Sequence, residues 1–160
     1  GRRPELSRRF DDLPGTFTAA IYPEQDDARE WADRARQRGM EVLINLPMEP
    51  RSGDAEYRRA FLADALPALD RYRPQFLLLS AGFDAAEHDP LAHMNVSAEG
   101  FTWMTRQLKM AAQRLCDGKL VSLLEGGYDL RSLSECVSLH VGLLLQPEGH
   151  DDLMAMKAGL

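Results

Sequence analysis

Two short segments carry side chains whose type and setting could do chemistry. The first is Ser80-Ala81-Gly82-Phe83-Asp84, where a carboxylate follows an apolar run and a glycine. A carboxylate there can ligate a metal, act as a general base, or cap a turn or helix. The second is Glu125-Gly126-Gly127-Tyr128, a small-residue turn presenting a phenol. Glycines let the backbone approach a ligand closely, and a tyrosine hydroxyl can donate to a developing oxyanion. The same residues also read as a tight strand-to-helix turn with a packing tyrosine. His88, Asp89 and His93 lie close to Asp84 and leave open a local metal site of Asp84, His88, Asp89 and His93. Their spacing matches no compact zinc knuckle. The glycine pair lacks the third glycine of a dinucleotide fingerprint and the Lys-Ser/Thr of a phosphate loop. A GxSxG nucleophile elbow is absent. His140, between Leu139 and Val141, reads as a satisfied core or interface histidine.

The elements that must position these residues follow from apolar patterning. Phe17 to Tyr22 is short, β-prone and stopped by Pro23; Val42 to Leu46 is a second such run before Pro47. Between them Asp26 or Asp27 can cap a helix running to about Arg38, with Gly39 as its stop. From Asp54, Tyr57, Phe61, Ala65 and Leu69 recur every four residues, a stripe at helical period. Pro67 falls inside it and predicts a kink or a fresh first turn. Phe76 to Ser80 and Leu120 to Leu124 are apolar nearly throughout, as strands buried on both faces of a parallel sheet are. Gly82 to Asn95 reads as a polar loop. Ser97 can cap a helix whose stripe is Phe101, Met104, Leu108, Ala111 and Leu115, with Gly118 as its stop. A last helix spans roughly Arg131 to Leu145. Strands alternating with helices predict a parallel sheet covered by helices, and ligands bind such sheets beyond the carboxyl ends of the strands. Both chemical segments leave strands at that end, which nominates Asp84 and Tyr128 by position.

The chain has 160 residues, within the range of one domain or part of one. Residues 1–15 read as an irregular lead-in and 147–160 as a loose polar tail. With 44% hydrophobic and 28% charged residues it is neither disordered nor collagen-like nor a disulfide scaffold. No apolar run approaches the ~20 residues of a membrane span. The net charge of −6, with no basic stripe, argues against direct nucleic-acid binding. Two isolated cysteines, Cys116 and Cys136, and no apolar leader after Gly1 suggest buried thiols in a reducing, cytoplasmic compartment.

Taken together, Ser80 to Asp84, Asp89-Pro90-Leu91, Asn95-Val96-Ser97 with Glu99-Gly100-Phe101, and Leu124 to Leu130 form an ordered pattern that resembles the histone deacetylase superfamily. The similarity is to its class II and acetoin-utilisation-like members. Asn45-Leu46-Pro47, Gly53-Asp54 and Tyr57 with Phe61 extend it over about residues 42–145. The resemblance implies a three-layer αβα, arginase/deacetylase-like fold with a parallel sheet. It implies a zinc-dependent amidohydrolase acting on acetylated lysine or acetylpolyamine substrates, with Zn²⁺ polarising the acyl carbonyl and activating a water. By the same resemblance Asp84 is a zinc ligand, Tyr128 stabilises the oxyanion, and Gly126, Gly127 and Phe83 bind substrate.

Departures from the family pattern are as informative. Its other two zinc ligands come from an Asp-x-His motif and its base from a His-His pair, and this sequence has neither. His88 and Ala92-His93 stand where glycines are common. The resemblance therefore implies a C-terminal portion of a deacetylase-like domain, one domain over 1–160, inactive alone. Its expected partners are the upstream half of the domain or a second copy, since a cut parallel sheet leaves an edge free. The rival expectation is a non-catalytic interaction module that retains the fold.

Overall fold

The computed structural model describes residues 17–20 and 42–147. The chain divides into two compact units, Gly1–Pro50 and Arg51–Leu160. In the first, strand β1 (Phe17–Ala20) pairs in parallel with β2 (Val42–Asn45), from Phe17 opposite Val42 to Ala20 opposite Asn45. The helix expected from Asp26 or Asp27 to Arg38, the lead-in and the polar tail beyond Pro147 lie outside the described residues.

The second unit opens with helix α1 (Asp54–Ala60), started by the Gly53 N–H donating to Glu56 Oε2 at 3.0 Å. Pro67 lies in the first turn of the helix that follows, the fresh first turn expected of it. The turn ahead of it, Phe61–Ala65, widens to a π-helix, in which the Leu66 N–H reaches back to the Phe61 carbonyl. A widened turn accommodates the ring and the missing donor of a proline without breaking the rod. Helix α2 (Leu66–Tyr72) then ends at Arg73, whose φ of 54° is left-handed. Tyr57, Phe61, Ala65 and Leu69 of the expected stripe are all buried.

Strand β3 (Leu77–Ala81) and strand β4 (Leu120–Leu124) pair in parallel, Leu77 opposite Leu120 through Ala81 opposite Leu124. Side chains alternate across a strand. One face, with Leu79, Ala81 and Ser122, meets helices α3 (Ala98–Cys116) and α4 (Leu130–Leu144). On the other face Leu78, Val121 and Leu123 are 43–45% exposed. The expectation that both strands are buried on both faces is thus corrected: a continuous apolar run does not reveal how many of its faces are covered, and here, among the described residues, one is.

Helix α3 starts at Ser97, whose Oγ accepts the Gly100 N–H at 3.0 Å. Ser97 donates its own N–H to Asp54 Oδ1 (2.8 Å) and its O–H to Asp54 Oδ2 (2.6 Å), joining the starts of α1 and α3. Phe101, Met104 and Ala111 of the predicted stripe are buried, but Leu108 and Leu115 are only half-buried, while Thr105, Lys109 and Ala112 are buried. The shift arises because α3 is packed on two sides, with Trp103 edge-on to Phe61 and Phe101 against Phe83. Lys109 spends its ammonium on the end of α4, donating to the carbonyls of Leu143 (2.9 Å) and Gln146 (2.8 Å). A cation suits that end of a helix, where carbonyls lack partners.

Candidate functional site

Because Ala81 faces Leu124, the two chemical loops leave neighbouring strands at the same edge. The ladder runs on beyond the strands: the Glu125 N–H donates to the Ala81 carbonyl (3.0 Å) and the Phe83 N–H to the Gly126 carbonyl (2.8 Å). This continuation presses Asp84 against the glycine pair. A Cβ on Gly126 would stand 2.9 Å from both Cγ and Oδ2 of Asp84, and one on Gly82 3.1 Å from Oδ1. Gly127 has a φ of +133°, which only glycine adopts without strain. The carboxylate therefore lies on bare backbone, at the point where parallel sheets hold ligands.

Tyr128 is 56% exposed. Its N–H donates to Asp89 Oδ2 at 2.7 Å, and Asp89 Oδ1 accepts the Leu91 N–H at 2.9 Å. Asp89 is only 6% exposed. The loop from Gly82 to Asn95, expected to be polar, is in fact packed, with Phe83, Ala86 and Met94 buried and Val96 buried just beyond it. Short backbone bonds fix it, Val96 N–H to the Ala85 carbonyl (3.0 Å) and Glu87 N–H to the Val96 carbonyl (3.1 Å).

Two residues that the sequence reads only as packing stand behind the site. Tyr57 looked like one more stripe residue, yet burial and the nearby negative charge of Asp84 push its phenol up to about 12. It remains a protonated, neutral neighbour of that carboxylate. His140 was placed in the core by sequence, and the structure puts it there, but with two partners and a task. Thr105 donates its hydroxyl hydrogen to the Phe101 carbonyl (2.9 Å), so it accepts from His140 Nδ1 at 2.8 Å. Nε2 then accepts from the Ser122 hydroxyl at 2.9 Å. Burial holds the imidazole below its ordinary pKa, in its neutral form. Its ring meets Phe83 edge-on at 5.6 Å, supporting from below the residue that precedes Asp84. Phe83 itself is 4% exposed, a core residue between Phe101 and His140.

Cys136 is free and buried. Burial, with Glu135 and Glu99 nearby, pushes its thiol up to about 11. His88 is exposed beside Glu87, at 3.5 Å, and His93 is exposed with a left-handed φ of 54°. Among the described residues no three of His, Cys, Asp and Glu gather where a metal could be held. Asp84, His88, Asp89 and His93 thus form no local site, and the Asp89 carboxylate is engaged by backbone N–H groups. A catalytic zinc usually takes three protein ligands, and these residues offer Asp84 alone. They do not make a zinc site by themselves.

Comparison with known proteins was decisive. The histone deacetylase domain matches residues 15–144. The chain belongs to the histone deacetylase family. Within that family it is 36% identical over 129 residues to the histone deacetylase-like amidohydrolase of Pseudomonas aeruginosa, covering 71% of this chain and 34% of that protein. It is 35% identical over 122 residues to the chloroplastic histone deacetylase 14 of Arabidopsis thaliana, covering 76% and 28%. Among solved structures, the HDA15 HD domain superposes with a TM-score of 0.69 at 32% identity, covering 85% of this chain and 39% of that one. Clr3 superposes with a TM-score of 0.66 at 26% identity, covering 90% and 25%. The fold is therefore that of a histone deacetylase domain, and the chain spans about a third or less of these curated relatives.

Proposed function

We propose that this chain supplies one wall of the active site of a zinc-dependent deacetylase that removes acyl groups from lysine or polyamine amides. The supporting observation is the hydrogen bond from the Phe83 N–H to the Gly126 carbonyl, which abuts the Asp84 loop on the Gly126-Gly127-Tyr128 loop. In this reading Asp84 is one ligand of a zinc set completed outside the described residues. Bound zinc supplies carbonyl polarisation and an activated water. Tyr128, solvent-facing, donates its phenolic hydrogen to the oxyanion formed at the acyl carbon. Gly126 and Gly127 leave room for the acyl chain, and Phe83 supports them from the core. The partner of the chain is the upstream half of the domain. Two free, buried cysteines agree with a reducing compartment such as the cytoplasm.

The test is acetyl-lysine peptide hydrolysis by the full-length product of the gene that encodes these residues. Tyr128→Phe lowers kcat by roughly 10²–10³, the usual effect of losing one oxyanion donor. The 160-residue chain alone, supplied with zinc, turns nothing over. Undiminished activity in Tyr128→Phe refutes the assignment. A second reading, a non-catalytic interaction module, draws on the exposed Leu78, Val121 and Leu123 face. It predicts that even the full-length product retains no zinc through dialysis.

A further inference from the structure

We propose that Asp89 is the positioning residue for Tyr128, an inference that rests on reading Tyr128 as the oxyanion donor. Tyr128 follows Gly127, at a φ of +133°, and precedes Asp129, whose Oδ1 caps α4 by accepting the Ser132 N–H at 2.7 Å. Its side chain is more than half exposed, so packing does not aim it. The direction of the phenol is therefore set by its own backbone. What holds that backbone across the site is the bond from its N–H to Asp89 Oδ2, between residues 39 apart in sequence.

Asp89 is built for this. A carboxylate that is 6% exposed needs donors in place of water. One oxygen takes the Leu91 N–H, which closes a local turn and fixes the carboxylate's orientation. The other is thereby presented to Tyr128. Bonds to an ionised acceptor are shorter and stronger than neutral ones, in keeping with 2.7 and 2.9 Å here. Asp89 also donates its own N–H to the Ala86 carbonyl at 2.9 Å, so the clamp is anchored in the packed part of the loop. Besides the ladder bonds Glu125 N–H to the Ala81 carbonyl and Phe83 N–H to the Gly126 carbonyl, the Asp89 clamp thus joins the loop bearing Asp84 to the loop bearing Tyr128. Asp89 touches neither substrate nor metal and acts only through Tyr128.

Amide hydrogen exchange of the 160-residue chain, read by NMR, tests this without requiring activity. Asp89→Ala raises exchange at both Tyr128 and Leu91 by on the order of 10- to 100-fold, the usual effect of losing a buried bond to a charged acceptor. Asp89→Asn, which keeps the shape but one acceptor oxygen, raises it at one of the two. Amides of Met104 and Ala111 in α3 stay as slow as in the parent. In the full-length product Asp89→Ala lowers kcat at least tenfold while KM changes less than twofold. Unchanged protection of Tyr128 in Asp89→Ala overturns the proposal. So does loss that spreads equally through α3, or an intact kcat once Tyr128 protection is gone. A full-length parent without acyl-lysine hydrolysis refutes the deacetylase reading instead, and leaves the exchange pattern to decide whether Asp89 holds Tyr128.

Discussion

Replacing Gly126 by alanine probes the closeness of the two loops directly. The added Cβ would sit 2.9 Å from both Cγ and Oδ2 of Asp84, and 3.2 Å from Oδ1. Carbon and oxygen atoms not bonded to one another rest nearer ~3.5 Å, so about half an ångström must be found. Relief requires that the carboxylate swing off the glycine pair or that the loops part. The loops cannot part without lengthening the 2.8 Å bond from the Phe83 N–H to the Gly126 carbonyl. Overpacking of this kind costs about 1–3 kcal/mol. Against it stands a gain of about 0.4–1 kcal/mol from stiffening the unfolded chain. The net expectation is a loss of about 1–2 kcal/mol. Gly142→Ala is the internal reference, since a Cβ there meets nothing within 4 Å and the residue lies inside α4. That change stabilises by about 0.5–1 kcal/mol. Urea unfolding of the 160-residue chain, compared at equal slope, measures both. If Gly126→Ala proves as stable as Gly142→Ala, the contact between Asp84 and the glycine pair is wrong, and so is the site built on it.

Three further outcomes follow from contacts around this site. Because burial lowers the folded-state pKa of His140, protons bind the unfolded chain first as pH falls below about 6.5; stability is full above that point and declines below it until the folded-state pKa is passed. The slope reaches at most about 1.4 kcal/mol per pH unit, and urea titrations at several pH values should show it lost in His140→Gln. Asp54→Ala removes the acceptor of two Ser97 hydrogen bonds and should cost about 1–3 kcal/mol, with Asp54→Asn milder, both read by thermal unfolding. Lys109→Met keeps the buried stem but drops two charge-assisted bonds to the end of α4, and should destabilise by about 1–3 kcal/mol, with faster amide exchange near Leu145.

What was legible in the sequence was local. Five-residue apolar runs bounded by turn residues gave β3 and β4 within one residue, and Ser97 and Gly118 marked the ends of α3. The strand-end rule then put Asp84 and Tyr128 on loops that the structure shows to abut. Facing was not legible, because Leu78 and Leu79 are the same residue type and only one of them is turned to the helices. Nor were partners distant in sequence. Lys109 bonds a carbonyl 34 residues away, and Asp89 an N–H 39 away, and nothing in their neighbours announces either. The loop from Gly82 to Asn95 misled for a related reason: Phe83, Ala86 and Met94 are buried at irregular spacing, with neither a helical nor a strand period.

The widened turn at Phe61–Ala65 has a genetic consequence. A π-helical turn holds one residue more than an α-helical turn in the same path. Leu62 and Asp64 lie on its exposed side. Deleting either removes the extra residue and restores regular α-helix, with the residues downstream kept in the same path. Ala68 and Leu69 would stay on the buried face, but the ring of Pro67 would meet the carbonyl four residues back, a contact the widened turn avoids. Point substitutions at Leu62 and Asp64 should therefore be accepted freely while a one-codon deletion in the same place is not. In this stretch the reading frame of the helix is constrained far more tightly than the identity of its surface residues.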